Sequence, residues 1–290
     1  MRPQDLIRLT ALAAIWGGSF VFMRVAAPAL GPVVTADARV LLGGLVMMAW
    51  LRAVRCDVGW RRHWRHYALM GVVNSAVPFT LYSYAALHIP ASYSVILNAT
   101  APLFGAVCGA LWLAEPLTWR KVAGLLVGTA GVALVARAPG AEFDADFARA
   151  VAACLGAALC YALSGAYLKR RASMIEPRAM SGASLLVAGL ALLPLALASP
   201  PRQAPSTAAV LCVVALAVLC SAVAYLLYFR LMADVGPGKA LTVTFLMPVF
   251  GLVWGVLFLR ERVTPGMLAG CALVIAGTFT VLRTGRPAAR

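Results

Sequence analysis

Apolar runs of about 20 residues recur along the whole chain and restrict its fold more than any other feature. A helix of about 20 residues crosses a hydrocarbon core about 30 Å thick, so each run predicts one transmembrane helix. Ten runs fit the sequence, at residues 6–28, 33–51, 67–87, 91–113, 122–138, 151–168, 180–198, 208–231, 239–259 and 265–282. The sequence therefore predicts an all-α integral membrane protein with ten transmembrane helices and no soluble domain.

The charge of the chain follows this predicted topology. Lys and Arg number 25 against 10 Asp and Glu, and the net charge of +15 would indicate nucleic-acid binding in a soluble protein. Only 12% of the residues are charged, however, and no basic segment is interleaved with aromatic residues. With the N-terminus in the cytoplasm, about 18 cationic residues lie inside and about 7 outside. We predict a multi-pass protein of the cell (inner) membrane with both termini cytoplasmic, anionic lipid headgroups as partners, and no nucleic-acid partner.

The second half of the chain repeats the first. A shift of 146 residues aligns 75–137 with 221–283 without a gap, and about nineteen of the 63 positions are identical. Glu115 and Glu261 are one matched pair, and the early helices match more faintly at a shift of 145. Matched Pro, Glu and Tyr residues are not an effect of an Ala-, Leu- and Val-rich composition, so the repeat is a strong signal.

Each repeat holds five predicted helices, at residues 1–140 and 147–285. An odd number of spans makes the second repeat enter the membrane from the opposite side, so the two repeats are predicted to be inverted. Inverted repeats are typical of secondary transporters, which bind substrate near mid-membrane and alternate access by rocking one repeat against the other.

Several motifs resemble one transporter family. The opening Trp16-Gly17-Gly18-Ser19-Phe20 is followed by Pro28 and Arg39, and a pattern of Pro, Phe, Gly and terminal Glu occurs at 102–115 and again at 248–261. The chain thus resembles the EamA branch of the drug/metabolite transporter superfamily, and within it the YddG-type amino-acid exporters. The resemblance implies a basket of ten helices, a central cavity lined by helices 1, 3, 4, 6, 8 and 9, and export of amino acids or other small metabolites.

Aromatic and hydroxyl side chains share helical faces inside the predicted spans. Ser75, Phe79 and Tyr82 follow the spacing i, i+4, i+7, and the second repeat has the same spacing from Ser221. Polar atoms in hydrocarbon need partners, so these faces should meet inside the bundle, either as helix contacts or as a substrate site. The candidate substrate-binding residues are Trp16, Ser19, Ser75, Phe79, Tyr82, Asn98, Tyr161, Ser164, Ser221, Tyr225, Tyr228 and Thr244.

Two prolines are candidate hinges. Pro102 and Pro248 each follow a polar residue, Asn98 or Thr244, by one turn. A proline inside a helix frees the carbonyl four residues earlier, so each kink would offer an acceptor beside a polar side chain. Corresponding interrupted helices point to a transport site, although a packing kink is the alternative.

Glycines next to these prolines have the spacing of closely packed helices. Gly105 and Gly109 match Gly251 and Gly255, and this spacing predicts close contact between the fourth and ninth helices or their neighbours. On this interpretation, Gly105→Leu should damage folding.

Charged residues at the span ends have two interpretations. Glu115 and Glu261 are predicted to form interfacial salt bridges, the first with Arg120 and the second with Arg260 or Arg262. All ten acidic residues lie at or near span ends, which leaves no proton relay inside a helix.

Arg39 lies early in the second helix, two residues after Asp37, and has only Ser184 as its repeat partner. The arginine either binds a carboxylate or extends to the membrane interface.

The sequence favours transport without a cofactor. No loop of the form GxxxxGKS or GxxxxGKT is present to bind ATP. His63 and His66 are spaced like metal ligands, but no cysteine or carboxylate converges on them, so no metal site is predicted. The spans hold no catalytic constellation, so the chain is not predicted to be an enzyme. We predict a secondary exporter of small metabolites, and of amino acids first, including aromatic or hydrophobic ones. An exporter of hydrophobic drugs, cations or lipids is the alternative, an intramembrane scaffold is a third hypothesis, and the sequence permits a monomer.

Overall fold

A computed structural model describes residues 2–136, 144–201 and 203–283, and all regular elements in these ranges are helices. The first half contains α1 (Pro3–Leu30), α2 (Pro32–Ala53), α3 (Trp60–Gly71), a π-helical segment (Val72–Ala76), α4 (Val77–His88), α5 (Ala91–Asn98), α6 (Ala101–Leu113) and α7 (Trp119–Ala136). The second contains α8 (Ala145–Arg171), α9 (Pro177–Ala198), α10 (Thr207–Val214), a second π-helical segment (Ala215–Val223), α11 (Ala224–Val235), α12 (Pro237–Ala240), α13 (Val243–Leu259) and α14 (Pro265–Arg283).

The protein is an all-helical, multi-pass membrane protein. Among the described residues, eight helical spans are long and apolar enough to cross a bilayer, and Val243–Leu259 is a shorter apolar helix. The predicted span 67–87 falls inside the helical stretch from Trp60 to His88, which is not one of these eight. The last two residues of the predicted span 122–138 lie outside the described residues. The count of ten crossings stays a prediction.

The predicted fourth helix is broken rather than kinked. α5 ends at Asn98, residues Ala99 and Thr100 form a turn, and Pro102 is in the first turn of α6. A proline in a first turn displaces no helical hydrogen bond, because the N–H it lacks would have no partner there. The expectation that Pro102 frees the Asn98 carbonyl inside a continuous helix is therefore wrong.

The predicted ninth helix is broken at a different place. Its turn is at Leu241–Thr242, and Pro248 lies inside α13, as the sequence predicted. A shift of 146 would carry this turn to residues 95–96, one turn before the break at Ala99–Thr100. The fourth and ninth predicted helices therefore have identical residues at matched positions, but their helical structure is interrupted at different positions.

Contacts between the two halves of the chain dominate the packing. The most extensive join α7 to α14, α2 to α9 and α1 to α13, and each pairs a helix before residue 140 with one after residue 147. Glycines permit the first of these. A Cβ on Gly124 would lie 2.8 Å from the carbonyl oxygen of Gly277, and a Cβ on Gly131 would lie 2.8 Å from that of Gly270. The halves are thus packed into one bundle.

Candidate substrate site

The first cluster of predicted site residues joins α1 to α11. The Trp16 ring lies 5.4 Å from that of Tyr228 and 6.1 Å from that of Tyr225, between ring centroids. Its indole N–H donates to the Cys220 carbonyl at 3.1 Å, at the end of the second π-helical segment. One hydrogen bond and two ring contacts therefore hold Trp16 against the second half of the chain.

The second cluster is centred on Tyr82. Its ring stacks on Tyr161 at 6.2 Å and meets the edge of Phe20 at 5.2 Å. The Tyr82 hydroxyl donates to the Asn98 side-chain oxygen at 2.8 Å, so the last residue of α5 is tied to α4. Tyr82 is fully buried.

Arg39 on α2 is buried between side chains of both halves. Its guanidinium lies 3.8 Å over the Phe79 ring, and its Nε donates to the Ser221 hydroxyl at 3.4 Å. One further N–H points at the Met23 sulfur at 3.8 Å. Only 5% of the residue is exposed. The alternative that Arg39 extends to the membrane interface is therefore wrong.

Close helix packing brings Arg39 and Ser221 together. A Cβ on Gly43, one turn after Arg39, would lie 3.0 Å from the Ser221 Cβ, so α2 packs tightly on the second π-helical segment there. The Phe79 ring that the arginine covers belongs to an apolar cluster against which Tyr161 and Tyr225 both pack. Arg39 thus lies between the two aromatic clusters, and an arginine inside an apolar span was the signal for it in the sequence.

Three of the other predicted hydroxyl groups bond within their own chain segment. Ser19 and Ser164 are buried and donate to their own helices, at the carbonyls of Trp16 and Cys160. Thr244 is half-buried and donates to Leu241 in its own turn, and among the described residues no hydrogen bond or ring contact joins it to either cluster.

Ser75 is different, because it is 0% exposed and its hydroxyl has no partner among the described residues. A second buried group of this kind is Asp37, which is 6% exposed within α2 and has one side-chain oxygen without a partner there. Asp37 thus lies near a span end, as the sequence predicted, and is nevertheless buried. Sequence position alone suggested an interfacial residue, because Asp37 follows the start of α2 by only one turn and a half.

Glu261 caps a helix instead of pairing with Arg260 or Arg262. Its carboxylate accepts from the backbone N–H groups of Ala91 and Ser92 at 2.7 and 3.0 Å, and also from the Ser92 hydroxyl. These N–H groups open α5 and have no partner within their own helix. The sequence interpretation failed because the acceptor and its donors are 169 and 170 residues apart.

Glu115 forms the predicted kind of ion pair with different partners. Its carboxylate lies 2.6 Å from the Lys169 amine and 3.4 Å from that of Lys121, rather than at Arg120. The hydrogen bond from Lys169 lowers the pKa of the Glu115 carboxyl from its ordinary value of 4.5, against a smaller opposing effect of burial. Glu115 follows α6 and Glu261 lies at the start of α5, so the two glutamates are at opposite ends of the segment from Ala91 to Leu113.

The glycine prediction holds for one half only. A Cβ on Gly251 would lie 2.5 Å from a methyl of Val95, so α13 packs against α5. A Cβ on Gly105 would meet nothing within 4 Å. The expected damage from Gly105→Leu through helix packing is therefore wrong.

A multi-pass helical bundle with aromatic, hydroxyl and guanidinium groups buried at its centre defines a membrane protein suited to bind a small solute. The chain belongs to the EamA-like transporter family, whose model matches residues 6–137 and 148–283. It is a transporter of the drug/metabolite type.

Two relatives and one solved structure illustrate the similarity. The transporter YvbV of Bacillus subtilis is 26% identical over 283 residues, which cover 97% of this chain and 92% of that protein. A protein of Streptantibioticus cattleyicolor named "Probable terminal-alkyne amino-acid exporter" is 29% identical over 216 residues, covering 74% of this chain and 72% of that one. A crystal structure with a TM-score of 0.67 and 18% identity covers 97% of this chain and 96% of its own, and has the same fold.

Proposed function

We propose that the protein is a secondary exporter of a small metabolite, and of an amino acid with an aromatic or aliphatic side chain first. It works by alternating access between two inverted repeats, residues 1–140 and 147–285, with the two aromatic clusters and Arg39 at the substrate site. Support comes from the family model, which matches the chain twice, and from a relative named as an amino-acid exporter. Aromatic walls with a few polar groups also suit such a solute.

Unequal contacts at repeat-related glycines carry this proposal. Gly251 packs against Val95, which is fully buried. A shift of 146 relates this pair to Gly105 and Leu241, but Gly105 has open space beside it and Leu241 is 42% exposed. The two repeat-related segments, Ala91–Leu113 and Leu241–Leu259, are therefore in contact at Val95 and Gly251 but not at Gly105 and Leu241.

The glutamates show the same inequality. Glu261 accepts from the backbone N–H groups of Ala91 and Ser92, whereas Glu115 pairs with Lys169 and Lys121. The segment from Ala91 to Leu113 is thus closed against the segment from Leu241 to Leu259 at the Glu261 end, and we infer that the Glu115 end is the open one. Under the positive-inside orientation the open end faces the cytoplasm. The second state exchanges the glycine contact, with Gly105 against Leu241.

A cysteine pair at the open end tests this exchange. Gly105→Cys and Leu241→Cys, made in a variant without the seven native cysteines, should form a disulfide under oxidant in proteoliposomes, because the open end must close during transport. Flux of a radiolabelled amino acid should stop on oxidation and return on reduction. Each single-cysteine variant is the matched control. A pair that never crosslinks during turnover, or that transports normally when crosslinked, would contradict alternating access.

Competition assays separate the substrate classes. Neutral amino acids should compete for flux without ATP, and hydrophobic cations should not. The reverse order would favour the alternative of a drug or cation exporter.

A further inference from the structure

We infer that Arg39 binds the carboxylate of the transported solute, so that the substrate class is carboxylate-bearing zwitterions and anions. This inference rests on the proposed function. It places one end of the solute against α2, beside Phe79 and Ser221.

The buried charge of Arg39 lacks an anionic partner. None of the ion pairs formed by the described residues includes this arginine. A guanidinium has five N–H donors, and here one meets the Ser221 hydroxyl at 3.4 Å and another a thioether at 3.8 Å. Burying an unpaired charge is costly, and natural proteins pair such charges or use them. A ligand that supplies the anion explains why the charge is kept.

The orientation of the guanidinium suits a carboxylate. Its face is covered by the Phe79 ring at 3.8 Å, which leaves the N–H groups at its edge directed sideways. Carboxylates bind guanidinium groups edge to edge through two parallel hydrogen bonds. A stacked arginine is therefore held in position without using the donors that recognise the anion.

Ser75 supplies an independent sign of a ligand. This serine lies one turn before Phe79 on the same helical stretch, and its fully buried hydroxyl has no partner among the described residues. A buried hydroxyl without a partner costs free energy unless something else bonds it. A polar ligand beside Phe79 would satisfy the hydroxyl and the guanidinium together.

The repeat limits the site to one anion. A shift of 145 relates Arg39 to Ser184, whose hydroxyl donates to Ser181 in its own helix at 3.3 Å. The second repeat thus has no cation at this position. A buried arginine that forms no ion pair with the described residues, beside aromatic rings, favours a solute with one carboxylate and an apolar side chain, and disfavours a hydrophobic cation.

Thermal unfolding of the purified full-length protein tests the inference. The probes are the neutral L-amino acids and, for each, the corresponding amino-acid amide, which lacks the carboxylate. We expect at least one amino acid to raise the Tm of the wild type while its amide does not. In Arg39→Gln, affinity for that amino acid should fall about 10- to 100-fold, as for the loss of a charge-assisted hydrogen bond, with a smaller fall in Arg39→Lys.

The stability of the unliganded variants excludes a merely structural role. Removing an unpaired buried charge should leave the Tm of unliganded Arg39→Gln equal to or above that of the wild type. Arg149→Gln is the control, because Arg149 is an exposed arginine of α8 that pairs with Asp146, and its loss should leave affinity unchanged.

Three results would overturn the inference. In the first, an amino-acid amide raises the Tm as much as the amino acid does. In the second, Arg39→Gln binds the amino acid with wild-type affinity. In the third, none of the amino acids raises the Tm. Flux of a solute without a carboxylate, undiminished in Arg39→Gln, would also overturn it while leaving the transporter proposal intact. Binding through Arg39 with no flux would instead contradict the transporter proposal.

Discussion

Glu115 and Glu261 occupy the same place in the two repeats and have different surroundings. Glu261 reaches the other half of the chain and caps α5, whereas Glu115 pairs with Lys169 of α8 and Lys121 of α7. The glycines that precede them differ in the same way, packed at Gly251 and open at Gly105. Identical residues in a repeated sequence therefore need not make identical contacts, and the proposed alternating access requires a difference of this kind.

The glycine pair should give the largest effect. Gly251→Leu forces a side chain into the space filled by Val95, and overpacking of this kind costs up to about 3 kcal/mol and occasionally more. Gly105→Leu should change the free energy of unfolding by less than about 0.5 kcal/mol, because its Cβ meets open space. Denaturant unfolding of the two purified variants measures both values.

Transport assays should show a different effect of Gly105→Leu. Gly105→Leu should fold normally and lose flux, because its side chain would block closure onto Leu241. Equal stability of Gly251→Leu and Gly105→Leu would contradict the conclusion that Gly251 is tightly packed and Gly105 is not.

The tyrosine pair should give an intermediate effect. Tyr82→Phe leaves the Asn98 amide without its hydrogen bond beside a buried ring, which costs about 1 to 3 kcal/mol. Tyr228 meets Trp16 through its ring, so Tyr228→Phe should be neutral within about 0.5 kcal/mol. Thermal unfolding with the substrate absent measures this difference, and equal costs would show that the Tyr82 hydroxyl bond contributes nothing.

The glutamate pair should give the smallest effect on stability. Glu261→Ala removes the acceptor for two helix-initiating N–H groups, at about 1 to 2 kcal/mol. Glu115→Ala breaks partly exposed ion pairs, at less than about 1 kcal/mol. Glu261→Ala should also raise the yield of the crosslink between Gly105→Cys and Leu241→Cys, because it releases the closed end. An unchanged crosslink yield would show that the contact of Glu261 with α5 does not affect closure at Gly105 and Leu241.

The pH dependence identifies the Glu115 contribution. Its pKa is lowered in the folded protein, so the stability it adds is present above its unfolded value near 4.5 and is lost as the pH falls through the lowered value. Glu115→Gln should lack this loss. Unfolding curves of the wild type and this variant between pH 3 and pH 6 would be parallel if the ion pair had no effect.

Helix positions were predictable from the sequence, because burial in hydrocarbon demands long apolar runs with every backbone group bonded internally. The start of the eighth predicted span is an example, since residue 208 and the observed Thr207 differ by one. The breaks in the fourth and ninth helices were not predictable in position. Pro102 and Pro248 marked both segments, but the turn precedes Pro102 by two residues and Pro248 by six.

The sequence predicted which residues are candidates for the site better than it predicted which of them are in contact. Polar and aromatic side chains inside apolar spans must find partners, and this rule selected Trp16, Tyr82 and Asn98, which the structure joins to neighbours. The same rule selected Thr244, whose hydroxyl is bonded within its own turn. The burial of Arg39 was left open, because a residue near a helix start can face either the interface or the bundle.

By itself, the sequence determined that this protein is a helical membrane protein whose second half repeats its first, because hydrophobic length and residue identity are local properties of the chain. Only the tertiary structure decided which repeated residues are in contact. Val95 with Gly251, Glu261 with Ser92 and Arg39 with Ser221 each join positions more than 150 residues apart, and their distances depend on how the two halves pack. The repeat alone does not say which of two equivalent sets of contacts forms, because that depends on the packing of all the helices together.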